Sequence, residues 1–277
     1  MIDLKPPQCP ITGDTESRLV FHYTHPPEIE VSIPRPAGEP YLREVWQFLP
    51  SGHFVSVHRM QVDTSYSGSY VDSTYKNEES MRAIYQRIIS LPPERSDNFW
   101  RFNEIKQFAG SWFGRTSDLE LLDIGSGLGV FPSIVHKEGW RCAAVDPDER
   151  AVKHLTDTVG VDAIFGDFMT LDVFKQYDII TLNKVLEHVP DPIAMLRRTL
   201  DWLKPGGFVY VEVPDGEIAS HYGSEREEFM IEHLHVFSLA SSAILATQAK
   251  YTVKAIARIH EPSSKYTIRL FLSKGFK

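Results

Sequence analysis

The sequence contains few cysteines and no long apolar run. Only Cys9 and Cys142 are present among 277 residues, so a disulfide framework is excluded and a reducing, cytoplasmic location is expected. No apolar stretch has the length needed to cross a bilayer, and residues 1–7 lack the apolar core of a signal peptide. Membrane insertion is therefore not expected.

The chain also lacks an excess of positive charge. It has 37 acidic and 29 basic side chains, which gives a formal net charge of −8. Binding to nucleic acid requires clustered Lys and Arg to neutralise phosphates, and no such cluster occurs along the chain. A nucleic-acid partner is therefore not expected, and the length suits one full α/β domain with a smaller unit.

A glycine-rich segment is the most informative feature that is present. Residues 121–124, apolar except for Asp123, predict a buried parallel strand, and Gly125, Gly127 and Gly129 follow it at alternate positions. Glycines permit a tight turn and a close approach of backbone N–H groups to a ligand. The spacing G-x-G-x-G differs from the G-x-G-x-x-G of dinucleotide-binding dehydrogenases. Taken alone, the loop also fits a purely structural turn.

An acidic residue ends the next predicted strand. This strand covers residues 141–146 and closes with Asp146, 17 residues after Gly129. An acid about 20 residues beyond a glycine loop is placed to accept hydrogen bonds from ribose hydroxyls. The alternative is that Asp146 only caps the helix that begins around residues 147–149. The loop and the acid together indicate a nucleoside-containing ligand.

Further motifs occur in the order found in the class I S-adenosylmethionine-dependent methyltransferases. They are A-I-F-G-D-F at 163–168, Y-D-I-I-T-L-N at 177–183, V-L-E-H-V at 185–189, and L-K-P-G-G with its following strand at 203–213. Over residues 118–215 the chain resembles that family. The resemblance implies an α/β, Rossmann-like, seven-stranded and mostly parallel sheet with a terminal antiparallel strand pair. It also implies S-adenosylmethionine as cofactor.

The resemblance assigns a set of cofactor contacts. The implied cofactor-binding residues are Asp123, Gly125, Gly127, Gly129, Asp146, Asp167, Phe168 and Asn183. Asp123 is expected near the methionine ammonium group, Asp146 at the ribose, and Asp167 at the adenine. Asn183 is expected to contact the methionine part or the acceptor, or simply to end its strand.

Three histidines are candidates for the acceptor side. A neutral histidine, with an ordinary pKa of about 6.5, is a natural general base. The segment 232–238 resembles the E-H-x-x-x-F-S segment of sugar methyltransferases, so His233 is the first catalytic candidate and His188 the second. The alternative for His233 is a structural contact with a backbone carbonyl. His235 is expected to pack or to contact the acceptor. Relatives that methylate a sugar carbon commonly carry tyrosine where this chain has Met230.

The first third of the chain has a different composition. Short alternating runs at 19–23, 44–48 and 54–58 predict a small antiparallel unit. Apolar stripes predict helices over residues 79–91 and 97–112, with Asp97 as the N-cap of the second. The expected organisation is a β-rich unit at 1–75, linking helices at 76–115 and a cofactor-binding domain at 116–277.

Two features of that first third bear on function. Residues 9–13 resemble a degenerate zinc-ribbon knuckle in which Thr12 replaces the second thiolate, and a structural zinc site needs four ligands, so no metal is expected. The Y-S-G-S-Y segment places Tyr66 and Tyr70 as candidates to close over cofactor or acceptor. The alternative is an aromatic loop that packs on the linking helices.

The C-terminal part completes the prediction. Residues 215–228 predict a mobile active-site loop, Ser238 an N-cap, and the alternation at 251–259 and 265–272 two final strands. The expected function is methyl transfer to a small-molecule acceptor, such as a nucleotide-linked sugar or an intermediate of a surface polysaccharide or natural product. One alternative is a related scaffold that has lost catalysis. A NAD-dependent Rossmann oxidoreductase is the other, and the glycine spacing disfavours it.

Overall fold

A seven-stranded sheet forms the centre of the fold. The computed structural model describes residues 7–30, 35–36, 38–62 and 78–275. The strands are β4 (Glu120–Ile124), β5 (Arg141–Asp146), β6 (Asp162–Phe165), β7 (Tyr177–Asn183), β8 (Leu203–Pro214), β10 (Tyr251–His260) and β11 (Tyr266–Lys274). Their order is β10-β11-β8-β7-β4-β5-β6, and β11 runs antiparallel to both neighbours. The predicted mostly parallel sheet with a terminal antiparallel pair is confirmed.

The strand order creates a crevice between β4 and β7. From β4 the chain moves outward to β5 and β6, and it then returns to place β7 on the other side of β4. In open α/β sheets, ligands bind outside the carboxyl ends of strands at such a reversal. The glycine loop leaves β4 at this edge, and the V-L-E-H-V segment follows β7 beside it. The two most distinctive motifs therefore meet at one place.

Helices cover both faces of this sheet. They are α1 (Glu78–Ile89), α2 (Asp97–Phe113), α3 (Val130–Lys137), α4 (Glu149–His154, continued by a π-helical turn Leu155–Val159), α5 (Pro192–Trp202), α6 (Gly216–Ala219) and α7 (Leu239–Gln248). One face packs against α2 and α3 through Phe102 and Val135, and the other against α5 and α7 through Trp202 and Leu245. None of the described helices is both long and apolar enough to cross a bilayer.

The helix ends follow local capping rules. The side chain of Ser96 accepts a hydrogen bond from the N–H of Phe99, so Ser96 rather than Asp97 is the N-cap of α2. The expected cap of α7 is confirmed, because Ser238 and Ser241 form a reciprocal capping box. Residues 215–228, predicted as one loop, contain α6 and two short 3₁₀ turns, with Asp215 capping α6.

A second, four-stranded antiparallel sheet lies beside the first. It contains β1 (Ser17–Tyr23), β2 (Arg43–Phe48) and β3 (Phe54–His58), which confirms the three strands predicted in the first third. The sequence patterns did not predict its fourth strand, β9 (His235–Val236), which pairs with β3. The next residue, Phe237, bonds through its N–H to the carbonyl of Pro214 at the end of β8. The chain around β9 therefore joins the two sheets.

Candidate active site

The three positions after β4 require glycine for different structural reasons. All have positive φ, +69° for Gly125, +50° for Gly127 and +67° for Gly129, a region that side chains other than glycine rarely adopt. A Cβ on Gly125 would lie 2.8 Å from Val185 Cγ2, and one on Gly129 would lie 2.6 Å from Leu155 Cδ2. A Cβ on Gly127 would meet no described atom within 4 Å. Gly127 therefore borders open space into which a ligand can approach.

A helix begins directly behind this loop. Helix α3 starts at Val130, and its N-cap is Gly129, which has no side chain to satisfy the first N–H groups. Val130 and Phe131 line a cavity of about 180 Å³ at this end of the helix. The first N–H groups of the helix, which have no partner within it, and its positive end favour a negatively charged or electron-rich ligand group there.

Asp123 and Asn183 meet across β4 and β7 at the floor of the same cavity. Asp123 Oδ1 accepts hydrogen bonds from Thr181 Oγ1 at 2.6 Å and from Asn183 Nδ2 at 2.8 Å. Burial raises the pKa of Asp123 to about 6. The amide oxygen of Asn183 is buried and has no hydrogen-bond partner among the described residues. An unpartnered oxygen beside a carboxylate suits the ammonium group of a methionine moiety.

Arg101 also lines this cavity. From the sequence, its place on a linking helix favours a surface role over pairing with a carboxylate or phosphate. The side chain is only 6% exposed, and its Nε donates to Oε2 of Glu212 at 2.8 Å. Arg269 donates to the other oxygen of Glu212 at 3.0 Å. Arg101 is therefore buried and paired with a carboxylate, the alternative to the surface role. Arg101 lies four positions before the buried Ile105 and shares its helix face, which is the signal that could have placed it inside.

Asp146 lies at the tip of β5 beside the glycine loop. Its Oδ2 accepts a hydrogen bond from the N–H of Gly127 at 2.8 Å, and its Oδ1 accepts one from the N–H of Asp148 at 2.9 Å. Burial raises the pKa of Asp146 to about 6. The helix cap is Asp148, whose carboxylate accepts from the N–H of Arg150, so Asp146 is not the cap of α4. A carboxylate has about four acceptor positions, so two remain for a ligand.

A more apolar cavity of about 300 Å³ continues from the loop toward β6. Its lining includes Gly125, Pro147, Asp167, Phe168, Val185, Val189 and Met195. Phe168 is buried, with its ring centroid 5.5 Å from that of Trp202, whereas Asp167 is exposed and accepts from the N–H of Met169. An apolar slot with a carboxylate at its rim suits a planar base that carries an amino group.

A third, more polar cavity of about 440 Å³ adjoins the first two. Its lining includes Lys184, Glu187, His188, Pro214, Glu228, Met230, Glu232, His233 and Lys265. Lys184 borders all three cavities, and His188 borders this cavity and the apolar one. Lys184 has φ of +59°, unusual for a residue other than glycine, and its ammonium group contacts Thr267 Oγ1. The three cavities therefore meet at the end of β7.

Two of the predicted histidines face each other in the polar cavity. His188 Nδ1 lies 3.0 Å from the carbonyl oxygen of Glu232, and His233 Nδ1 lies 2.9 Å from that of Glu228. A carbonyl can only accept, so both Nδ1 atoms carry the proton and both Nε2 atoms carry a lone pair. Burial lowers the pKa of each histidine to about 4, so both are neutral near pH 7. The carbonyl contact expected as an alternative role for His233 is present, and it also orients the ring.

Glu187 lies behind these histidines and was assigned no chemical role from the sequence. Its residue is 0% exposed, and neither carboxyl oxygen has a hydrogen-bond partner among the described residues. Burial raises the pKa of Glu187 to about 8, so the carboxyl group is mostly protonated at neutral pH. One Glu187 oxygen and one ring nitrogen from each of His188 and His233 lie within 4.8 Å of one another. Its place as an acid inside the apolar V-L-E-H-V run is a sequence signal that could have singled it out.

Of the remaining predicted acceptor residues, the structure describes only His235. His235 is 3% exposed, and its Nδ1 lies 3.2 Å from Nε2 of His53, the residue directly before β3. The other ring nitrogen of His53, Nδ1, lies 3.3 Å from Ser241 Oγ in α7, and His235 is not among the residues that line the polar cavity. Tyr66 and Tyr70 lie outside the described residues.

Comparisons with known proteins agree with this geometry. A family described as "Methyltransferase domain" matches residues 77–276. Ubiquinone biosynthesis O-methyltransferase from Shewanella halifaxensis is 30% identical over 139 residues, covering 47% of this chain and 56% of that protein. The same enzyme from Bordetella avium is 32% identical over 125 residues, covering 43% and 50%. The chain thus matches about half the length of these curated relatives.

Solved structures share the fold at low sequence identity. Magnesium protoporphyrin IX methyltransferase from Synechocystis PCC 6803, solved with bound SAH (S-adenosylhomocysteine), has a TM-score of 0.58 at 13% identity and covers 77% of this chain and 100% of that one. An S-adenosylmethionine-dependent methyltransferase from Clostridium acetobutylicum has a TM-score of 0.53 at 11% identity, with 72% and 99% covered. At this level of sequence identity, the similarities show a shared fold only.

Proposed function

Because the chain belongs to the methyltransferase-domain family that matches residues 77–276, we propose that it transfers a methyl group from S-adenosylmethionine to a hydroxyl oxygen of a small-molecule acceptor. The observation that carries the proposal is the junction at Lys184. There a cavity suited to a methionine group, a cavity suited to adenine and a polar cavity with two neutral histidines meet. Methyl transfer requires this arrangement, since donor and acceptor must be in line.

The residues at the first two cavities support binding of the cofactor in an extended form. Asn183 Oδ1 and Asp123 would hold the ammonium group, and Arg101 would face the carboxylate. Asp146 would accept hydrogen bonds from the ribose hydroxyls, which lie beside the open face of Gly127. Phe168 and Asp167 would bind the adenine by its face and its amino group. When bound, the cofactor supplies a methyl group on positively charged sulfur.

His233 is the proposed general base. Its Nδ1–H donates to the carbonyl of Glu228, which fixes the ring and leaves the lone pair on Nε2 in the polar cavity. The acceptor hydroxyl would donate its hydrogen bond to Nε2, and the proton would move there as the oxygen forms its bond to the methyl carbon. His188, whose ring centroid lies 4.9 Å from that of His233, is the second candidate.

Oxygen is favoured over carbon as the atom that is methylated. The proposed carbon-methylating arrangement of sugar methyltransferases includes a tyrosine where this chain has Met230, which lines the cavity with a thioether. A thioether cannot donate a hydrogen bond or take a proton. The curated relatives are named O-methyltransferases of ubiquinone biosynthesis. A nucleotide-linked sugar or an intermediate of a surface polysaccharide or natural product remains within the proposed acceptor class.

Labelled cofactor provides the test. We expect S-adenosylmethionine to bind in calorimetry while NAD gives no heat, and a metabolite extract to yield a product heavier by one methylene group. The His233→Ala variant is expected to keep its cofactor affinity and to lose about 10²-fold or more in turnover. Preferential binding of NAD would overturn the assignment. Tight cofactor binding without transfer to any acceptor pool would instead favour a scaffold that has lost catalysis.

A further inference from the structure

The chain segment that leads to His233 has one side on the polar cavity and the other on the small sheet. Alternate side chains of the segment 228–232 line the cavity, namely Glu228, Met230 and Glu232. The side chains between them, Phe229 and Ile231, are 1% and 2% exposed and pack in the apolar core of the small sheet. The core of the small sheet therefore lies directly behind one wall of the proposed acceptor site.

Arg43 of β2 is a charged residue within this core. It is 0% exposed, and its guanidinium group lies 4.0 Å from the centroid of the Tyr23 ring. Nη1 donates to the carbonyl of Phe229 at 2.7 Å, and Nη2 donates to Glu30 Oε2 at 2.9 Å. The hydroxyl of Tyr41 accepts from Arg43 Nε at 2.9 Å and donates to Glu30 Oε1 at 2.6 Å. These buried hydrogen bonds fix the guanidinium group, so it is a rigid donor to the Phe229 carbonyl.

The carbonyl that Arg43 binds is adjacent along the chain to the carbonyl that orients His233. His233 Nδ1 donates to the carbonyl of Glu228, one residue before Phe229. Peptide units are planar and consecutive units share a Cα, so fixing the unit after Phe229 restricts rotation of the unit before it. The Glu228 side chain accepts a hydrogen bond from the N–H of Tyr266, in β11, at 2.7 Å. The Glu228 carbonyl is therefore held from the catalytic sheet on one side and from the small sheet on the other.

We propose that Arg43 is a positioning residue for methyl transfer, which acts through this backbone segment to hold the His233 ring with its lone pair on Nε2. The proposal rests on the methyltransferase function proposed above, in which His233 is the general base. Arg43 is not among the residues that line the polar cavity, so its effect on the reaction is indirect. A neutral imidazole has two tautomers, and only one of them leaves the lone pair on Nε2. The small sheet thus supplies the donor that fixes the proton position on the base.

The effect of removing Arg43 must be separated from the effect of the charge that its removal leaves unpaired. Arg43→Met alone leaves the carboxyl group of Glu30 buried without its cation, which is strongly destabilising. The main variant is therefore Arg43→Met/Glu30→Gln, which removes both charges and the donor to Phe229. The first control, Glu30→Gln, keeps the bond from Arg43 to Phe229. The second control, Arg18→Met, removes an exposed arginine of β1 that donates to Gln47. Thermal unfolding confirms that each variant is folded.

The tautomer of His233 is measured directly by NMR on the full chain labelled with ¹⁵N-histidine. Ring nitrogens that carry a proton are separated in chemical shift from those that do not, and the His233 signals are those missing from His233→Ala. Near pH 7 we expect only the Nδ1–H tautomer in the wild type and in both controls. The Arg43→Met/Glu30→Gln variant should show a measurable fraction of the Nε2–H tautomer. An Nε2–H tautomer in the wild type, or a pure Nδ1–H tautomer in the folded double variant, would overturn the proposal.

A cycle of variants shows whether Arg43 acts through His233. The initial rate of labelled methyl transfer to a metabolite extract is measured with saturating S-adenosylmethionine. We expect Arg43→Met/Glu30→Gln to lower this rate by about tenfold or more, because a small misplacement of a catalytic group costs up to about 10²-fold. The rates of both controls, and the affinity of every variant for SAH in calorimetry, should change by less than about twofold.

The same change is then made in the His233→Ala background. There Arg43→Met/Glu30→Gln should lower the remaining rate by less than about twofold, because the base that Arg43 positions is already absent. An equal loss in both backgrounds would mean that Arg43 supports the fold alone, and would contradict the positioning role.

The two measurements separate this inference from the methyltransferase proposal. If the wild type transfers no methyl group but the double variant shows the change of tautomer, the proposed reaction is contradicted and the hold of Arg43 on the His233 ring is supported. Transfer that requires His233 but is unchanged in the folded double variant would support the reaction and contradict the role of Arg43.

Discussion

The backbone N–H of Gly127 donates a hydrogen bond to Oδ2 of Asp146 across 2.8 Å. This contact joins the middle of the glycine loop to the end of the neighbouring strand. The hydrogen bond therefore fixes both the position of the glycine loop and the orientation of the Asp146 carboxylate. A change at either residue should alter the cofactor site without removing any part of the hydrophobic core.

Asp146→Asn should weaken cofactor binding. The amide would turn an N–H₂ group toward one of the two backbone N–H donors that the carboxylate accepts, and would offer fewer acceptor positions to the ribose. We expect affinity for SAH to fall by about tenfold or more in titration calorimetry. The matched control is Asp172→Asn, an exposed acid, for which the affinity should change by less than about twofold. Equal affinity of folded Asp146→Asn and wild type would contradict the ribose assignment.

Alanine at Gly127 and at Gly129 should have different effects. Both positions have positive φ, which costs a residue with a Cβ about 1–2 kcal/mol. At Gly129 the new Cβ also overlaps Leu155, so we expect a total loss of about 3 kcal/mol in the free energy of unfolding measured with urea. Gly127→Ala should lose about 1 kcal/mol but more than tenfold in affinity for SAH, because its Cβ points into open space beside the ligand. If Gly127→Ala instead kept the affinity for SAH while Gly129→Ala lost it, Gly127 would be only a turn residue.

The pH dependence of catalysis should reflect the buried environment of His233. Burial lowers its pKa to about 4, so the base stays unprotonated well below the usual histidine range. With S-adenosylmethionine saturating at each pH, so that protonation of Asp123 and Asp146 in the free cofactor site does not contribute, we expect kcat/KM for the acceptor to remain nearly constant from pH 7 down to about 5 and to fall only near pH 4, while circular dichroism confirms that the protein is folded. An acid limb centred near pH 6.5 that His233→Ala abolishes would contradict this burial.

Removal of Arg101 should destabilise the protein through its partner. Burial opposes ionisation of Glu212, but the charges of Arg101 and Lys184 outweigh it and hold the pKa of Glu212 at about 2. Arg101→Met leaves that carboxylate undercompensated, and we expect a loss of about 3 kcal/mol in urea unfolding. The double variant Arg101→Met/Glu212→Gln should be more stable than Arg101→Met alone, by at least about 1 kcal/mol in the free energy of unfolding. Lys106→Met, in an exposed pair with Glu138, should lose less than about 1 kcal/mol. Strict additivity in the double variant would argue against coupling.

Glu187 should make stability depend on pH. Its pKa is raised by burial from 4.5 to about 8, so the folded state holds a proton that the unfolded state releases between those values. The stability contribution of this group is therefore present below pH 4.5 and is lost as pH rises through about 8. The free energy of unfolding of Glu187→Gln, measured with urea relative to wild type, should increase by on the order of 2 kcal/mol or more as the pH rises from 5 to 8.5. A difference between the two proteins that is constant over this range would mean that Glu187 is not buried in its neutral form.

Local patterns predicted most of the catalytic sheet. The apolar runs of β4, β5 and β7 and the glycine loop depend on residues close in sequence, so they can be recognised without a structure. The cap of α7 follows from Ser238 alone. The cap of α2 was misplaced by one residue because Ser96 and Asp97 are both good N-caps, and only the observed contact with Phe99 distinguishes them.

The features that were not predicted depend on distant residues. The Arg101–Glu212 contact joins positions 111 residues apart, and β9 has only two residues, too few for a period to be seen. The same limit applies to His233, whose proposed role as general base depends on which of its ring nitrogens the carbonyl of Glu228 binds. Glu187 could be noticed as an acid in an apolar run, but its lack of partners could not be read from the sequence.

The pairing of β9 with β3 has a consequence for how acceptor preference can change. The segment that carries Glu228, His233 and β9 is held by β8 on one side, and on the other the N–H of Ser56 bonds to the carbonyl of Leu234. Strand β3 thus supports the segment that carries His233 and lines the polar cavity, where we propose that the acceptor binds. Exchange of these residues between relatives should alter which molecule is methylated while the affinity for the methyl donor stays constant. Acceptor choice and donor binding can in this way diverge independently within one chain.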